Sequence, residues 1–139
     1  MNWISTTPNR SQIVRTKVDF YYHYGIFISE DEVIQFGLPT DPGKPADSIK
    51  VISTDVYTFL CGGDIEVGQP NREEKNKMCS PEEIIKTARA RIGEGGYDIL
   101  HNNCEHFVNS CVFGKSSSEF LNSVREKIKM KLKNKSLLK

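Results

Sequence analysis

Long apolar runs are missing from this chain of 139 residues. No stretch approaches the roughly 20 apolar residues that cross a bilayer, so a transmembrane span is not expected. The first residues, Met-Asn-Trp-Ile-Ser-Thr-Thr-Pro, have neither the basic start nor the apolar stretch of a secretory signal. A cytoplasmic location is the default expectation, and thiols stay reduced there. The four cysteines, Cys61, Cys79, Cys104 and Cys111, are therefore expected to be free. An excess of one charge is also missing, since 19 Lys/Arg face 18 Asp/Glu for a net charge of +1. The balance is uneven along the chain. Residues 121–139 hold seven basic groups and one acid, against 12 basic and 17 acidic groups elsewhere, so a +6 tail follows a −5 body. A dedicated nucleic-acid binder would spread basic groups over its folded surface, so no nucleic-acid partner is expected. Histidine is scarce as well, and only three are available to serve as a base.

What is present suffices for one domain. The chain is 37% hydrophobic, enough for one modest core at this length. Residues 12–17, 20–29 and 32–36 are rich in Ile, Val, Tyr and Phe with polar residues interleaved, which predicts three strands. In the second, Tyr21, His23, Gly25 and Phe27 share one face, and Phe20, Tyr22, Tyr24, Ile26 and Ile28 the other. Three prolines and two glycines make residues 37–48 a loop. Residues 49–53 and 56–60 read as strands, and the polar residues 62–80 as a surface excursion. Ser80-Pro81-Glu82-Glu83 opens a helix with a capping serine, proline at the first helical position and glutamate three residues after the cap. Ile84, Ile85, Ala88 and Ile92 form its apolar stripe, with Gly93 as the terminator. A second helix begins after Asn103 and ends at Gly114, with Cys104, Phe107, Val108, Cys111 and Val112 on one side. Strands followed by helices predict an α+β fold with an antiparallel sheet packed against helices.

Cys104 is the most informative position. In the first turn of a helix, unpaired N–H groups and the dipole favour an anion, which predicts a lowered thiol pKa and a site able to hold an oxyanion. His106, two residues on, lies roughly 200° around the helix and points away from the thiol. His101 stays open as a base. His23 is the preferred one, because Gly25 beside it leaves room for a packed helix to approach. Gln35 is the candidate third group that orients His23, weighed against a plain half-buried strand residue. For both to share a face, the loop between their strands must hold an odd number of residues, or a bulge must intervene. A loop at residues 29–31 would set Gly25 opposite Gln35 and His23 diagonally beside it. A zinc site from His101, Cys104 and His106 matches none of the usual spacings.

These residues carry a resemblance. The box Asn103-Cys104-Glu105-His106-Phe107-Val108-Asn109, preceded by Ser80-Pro81-Glu82-Glu83-Ile84-Ile85 and by His23-Tyr24-Gly25-Ile26-Phe27-Ile28, resembles the lecithin:retinol acyltransferase-like domain. Within that family it is similar to the H-Ras-like-suppressor phospholipase A/acyltransferases, from about residue 13 to residue 120. The resemblance implies a circularly permuted papain-like (NlpC/P60) fold. It also implies cleavage of an acyl ester of a glycerophospholipid through a cysteinyl thioester, with Cys104 as nucleophile and His23 as base. Gln35 falls where many relatives have a second histidine; glutamine can orient a base but cannot titrate. No metal or organic cofactor is required.

The chain divides into one catalytic domain over residues 1–120 and a basic C-terminal tail over 121–139. In the tail, Leu121, Val124, Ile128 and Leu132 fall roughly on one side of a helix with lysines around the rest. This reads either as a frayed terminus or as an amphipathic segment resting on an anionic membrane surface, which would make the protein peripheral. The rival functions are a thiol amidase or peptidase of NlpC/P60 type and a catalytically idle interaction module.

Overall fold

The computed structural model describes residues 1–41, 43–99 and 102–114. Their elements run β1 (Asn2–Ile4), β2 (Ile13–Val18), β3 (Tyr21–Ser29), β4 (Glu32–Phe36), β5 (Val51–Thr54), α1 (Val56–Leu60), β6 (Glu66–Gln69), α2 (Arg72–Lys77), α3 (Pro81–Ala90) and α4 (Cys104–Phe113), with a short 3-10 turn at Ala46–Ser48. The strands form one antiparallel sheet in the order β1-β6-β2-β3-β4-β5. The α+β class holds, and so do the three N-terminal strands and both caps read from the sequence. Residues 121–139 lie outside the described residues.

The two faces of the sheet are covered separately. Ile26, Ile34, Phe36 and Val51 pack beneath Ile84 and Ile85 of α3 and Phe107 and Val108 of α4. Val14, Phe27, Val33 and Val67 pack beneath Val56 and Phe59 of α1. Strand alternation puts His23, Gly25 and Gln35 on the α1 side. Ser80 caps α3 by accepting from Glu83 N, with Pro81 in the first turn. Asn103 caps α4 by accepting from the N–H groups of Glu105 and His106, and Gly114 ends the helix at φ +66°. A cap of this kind is worth about 1 kcal/mol.

Four expectations are corrected. Residues 56–60 are a helix, because Asp55 accepts from Thr58 N at 2.7 Å and nucleates a turn that buries Val56 and Phe59. Residues 62–80 contain β6 and α2, the latter started by a reciprocal cap between Asn71 and Glu74. Ile92 is 44% exposed, since α3 has already ended. Phe20 sits fully exposed in the β2–β3 turn, not on a packed strand face.

The β3–β4 hairpin settles the parity question through a bulge. Its turn is Glu30–Asp31, an even loop, but the register shifts between Phe27↔Val33 and Ser29↔Glu32, leaving Ile28 as the extra residue. Gly25 therefore faces Gln35.

Candidate active site

Beside the first half of β3 the sheet is incomplete. β3 starts at Tyr21, yet β4 pairs with it only from Gly25↔Gln35 onward. Antiparallel ladders turn backbone groups alternately to each neighbour. Phe27 gives its N–H to Gln12 on the β2 side, so Tyr24 turns its own N–H to the β4 side, past the last pair. The first turn of α4 brings Cys104 to that gap. The backbone N–H groups of Tyr24, Glu105 and Cys104 itself lie near its sulfur and favour a negative charge there.

Burial nonetheless decides the protonation state. Cys104 is 7% exposed, and desolvation, helped by the Glu105 carboxylate, holds its thiol above the ordinary 9.0 despite the three donors. The expectation of a lowered thiol pKa is thus overturned. The helix terminus acts in the expected direction, but taking a charged sulfur out of water costs more. His23 is buried too, and desolvation holds its pKa below the ordinary 6.5 against weaker opposite pulls from Gln35, Asp41 and the Gly37 carbonyl. At neutral pH the two groups are an uncharged thiol and an uncharged imidazole.

His23 Nε2 and Gln35 Oε1 are 2.7 Å apart. An amide oxygen only accepts, so Nε2 carries the proton and Nδ1 keeps a lone pair. The imidazole also lies against the Phe59 ring, with centroids 5.4 Å apart. This corrects the reading of Gly25: a Cβ there would meet Phe59 and Val33, so the space admits α1, not α4. His23 and Cys104 both line one cavity of about 310 Å³, together with Tyr21, Tyr97, Phe36 and Ile99. Among the described residues no hydrogen bond joins the imidazole directly to the sulfur. The ring is tied to Gln35, and the groups near the sulfur that favour its anion are backbone N–H groups.

The other candidates fall elsewhere. His106 Nδ1 accepts from Asn103 N at 3.0 Å, so it completes the α4 cap. His101 lies outside the described residues, and with it the zinc grouping. Cys111 is buried two turns deeper on α4, while Cys61 is exposed and Cys79 half-buried. Tyr97 escaped the sequence reading. It packs edge-on against Phe36 at 5.2 Å, and burial pushes its pKa up to about 12. Its place in the loop before α4 was the available signal.

Residues 6–117 match the family model described as lecithin retinol acyltransferase. The chain belongs to the lecithin retinol acyltransferase family. Lecithin retinol acyltransferase of Rattus norvegicus is 28% identical over 90% of this chain and 63% of its own length. The Mus musculus protein of that name is 30% identical over 78% of this chain and 56% of its own. Human phospholipase A and acyltransferase 3 is 23% identical over 84% of this chain and 78% of its own. The chain spans 56–63% of the length of the lecithin retinol acyltransferases it matches. No described helix is long and apolar enough to cross a membrane.

Proposed function

We propose that this chain is a cysteine acyl-transfer enzyme acting on acyl esters of glycerophospholipids, with Cys104 as nucleophile, His23 as base and Gln35 as the group that orients His23. The observation that carries the reading is the shared cavity. A cysteine with three backbone N–H groups nearby and a histidine with its Nε2 proton committed to Gln35 open into one space. Membership of a family whose relatives are named as acyltransferases supports it.

The resting pair is uncharged, so proton transfer accompanies attack instead of preceding it. Substrate entry closes the distance between ring and sulfur, as catalytic hydrogen bonds commonly tighten only in the complex. Nδ1 of His23 takes the thiol proton as Sγ bonds to the ester carbonyl carbon, and the N–H groups around the sulfur hold the oxyanion. The Gln35 oxygen, the Asp41 charge and the Gly37 carbonyl all favour the imidazolium so formed. Collapse breaks the C–O bond, and the departing alkoxide takes the proton from His23, leaving a thioester. Water or another acyl acceptor then attacks the thioester while His23 takes its proton and returns it to the leaving sulfur. The residues supply this chemistry without a cofactor.

The order of a histidine strand before a cysteine helix favours a circularly permuted papain-like NlpC/P60 topology, with residues 1–120 as the catalytic body. The basic tail 121–139 would hold the protein at an anionic membrane surface from the cytoplasmic side. Its deletion should weaken binding to anionic vesicles.

The decisive experiment is intact-mass analysis after incubation with phospholipid. An acyl-sized adduct on the wild type, absent from Cys104→Ala, is the expected result. An adduct that persists in Cys104→Ala, or none on either protein, would overturn the reading. The second outcome would favour an idle interaction module, the reading to which the missing imidazole–sulfur bond points.

A further inference from the structure

Gln35 can assist His23 in only one of its two orientations. A glutamine amide accepts at one end and donates at the other, and the ends have nearly the same shape. With Oε1 toward the ring, Nε2 of His23 keeps the proton and Nδ1 is the free base. With the NH₂ group toward the ring, Nε2 would have to accept, the proton would move to Nδ1, and the base would be lost. Something must hold the amide the right way round.

Thr54 is placed to do so. Gln35 Nε2 donates to Thr54 Oγ1 at 2.7 Å, and Thr54 Oγ1 donates to the Asp55 carbonyl oxygen at 3.0 Å. Its one hydroxyl proton is thereby committed, so the threonine oxygen can offer Gln35 only lone pairs and selects the NH₂ end. The register explains the reach: Thr54 pairs with Val33, which sets it diagonally across from Gln35 on the same face. The Asp55 carbonyl also accepts from Phe59 N at 3.2 Å in the first turn of α1. Phe59 in turn packs on His23. The path His23–Gln35–Thr54–Asp55–Phe59–His23 is therefore closed.

We propose that Thr54 is a positioning residue that fixes the Gln35 amide and, through it, the Nε2–H tautomer of His23. The proposal rests on the acyl-transfer reading for its consequence in catalysis, though not for the tautomer itself. It assigns the selection of the base nitrogen to a hydroxyl on β5, two hydrogen bonds from the imidazole.

Nitrogen-15 NMR of the histidine side chains tests this directly, and with three histidines in the chain the signals can be assigned by a His23→Ala control. The wild type should show a single His23 tautomer with the proton on Nε2. Thr54→Val should shift it towards Nδ1–H or an exchanging mixture, and Thr54→Ser should restore the wild-type spectrum. The rate of acyl-adduct formation on Cys104 should fall about tenfold in Thr54→Val, the order expected from losing one partly buried hydrogen bond, and return in Thr54→Ser. In a Gln35→Glu background, where both ends accept, Thr54→Val should leave the tautomer unchanged. An unshifted Nε2–H tautomer in Thr54→Val overturns the proposal. If Thr54→Val does not fold, Thr54→Ala takes its place: a shift away from Nε2–H there supports the proposal, and an unshifted Nε2–H tautomer there, or a Nδ1–H tautomer in the wild type, overturns it. Absence of any adduct on wild-type protein would refute the acyl-transfer reading alone, because the tautomer measurement does not depend on turnover.

Discussion

Gly25→Ala adds one methyl group where neighbouring side chains already meet. A Cβ at this position would lie 2.9 Å from Phe59 Cε2, 2.9 Å from Val33 Cγ1 and 3.3 Å from the Ile34 carbonyl oxygen. Phe59 and Val33 are fully buried, so neither can swing into solvent to make room. Overpacking of this kind costs about 1–3 kcal/mol. Restricting the unfolded chain offsets roughly 0.5–1 kcal/mol of that. The net loss is centred on about 1 kcal/mol, and with a urea slope near 2 kcal/mol/M the denaturation midpoint should fall by about 0.5 M. The same push acts on Phe59, the ring beside His23, so adduct formation at Cys104 should slow as well. Phe59→Leu in the Gly25→Ala background should cost less than Phe59→Leu alone, because the two changes relieve each other. A Gly25→Ala midpoint equal to or above the wild type would refute the assignment of this glycine as space reserved for α1.

Stability should rise with pH up to about 6.5 and then level, because the unfolded chain binds a proton at His23 that the fold resists. Urea midpoints measured across that range should show a shallower slope in His23→Asn. Above about pH 9 the sign reverses: unfolded thiols ionise, while burial keeps Cys104 and Cys111 protonated, the latter pushed up to about 11. Stability should therefore decline in alkali, and less so in Cys111→Ala. Arg91→Met removes hydrogen bonds to Ser110 and Glu94 and the stacking of the guanidinium 4.8 Å from the Phe107 ring centroid. A loss of about 1–3 kcal/mol in denaturant titrations is expected, only partly recovered by lysine, which lacks the planar fork. Under brief alkylation at neutral pH, peptide mapping should find exposed Cys61 modified ahead of buried Cys104; the reverse order would contradict the burial of the sulfur.

The elements whose boundaries are marked by local chemistry could be read without coordinates. Ser80 with Pro81, and Asn103 with Gly114, announce both long helices, and the alternation around Gly25 places His23 and Gln35 on one face once a bulge is allowed. Val56–Leu60 carries β-branched and aromatic residues that favour a strand, and the Asp55 cap overrides them by nucleating a helical turn. The reciprocal cap of Asn71 and Glu74 was also present in the sequence, hidden by the polarity of its surroundings. The protonation of Cys104 was beyond sequence reading for a different reason. The N–H groups of a helix terminus are local, but the burial that outweighs them comes from a core assembled with β3 and β4, far off in the chain. Thr54 likewise acquires meaning only from a diagonal contact between β4 and β5.

The unfinished pairing beside Tyr24 has a cost of its own. While α4 is docked, its first turn occupies the vacant side of the strand. Should that helix detach, an aromatic run from Tyr21 to Tyr24 would present bare amide and carbonyl groups to any other extended chain, the condition under which strands recruit one another into aggregates. Damage to the α4 cap at Asn103 would then surface first as precipitation during expression, before any assay of Cys104 registered a change.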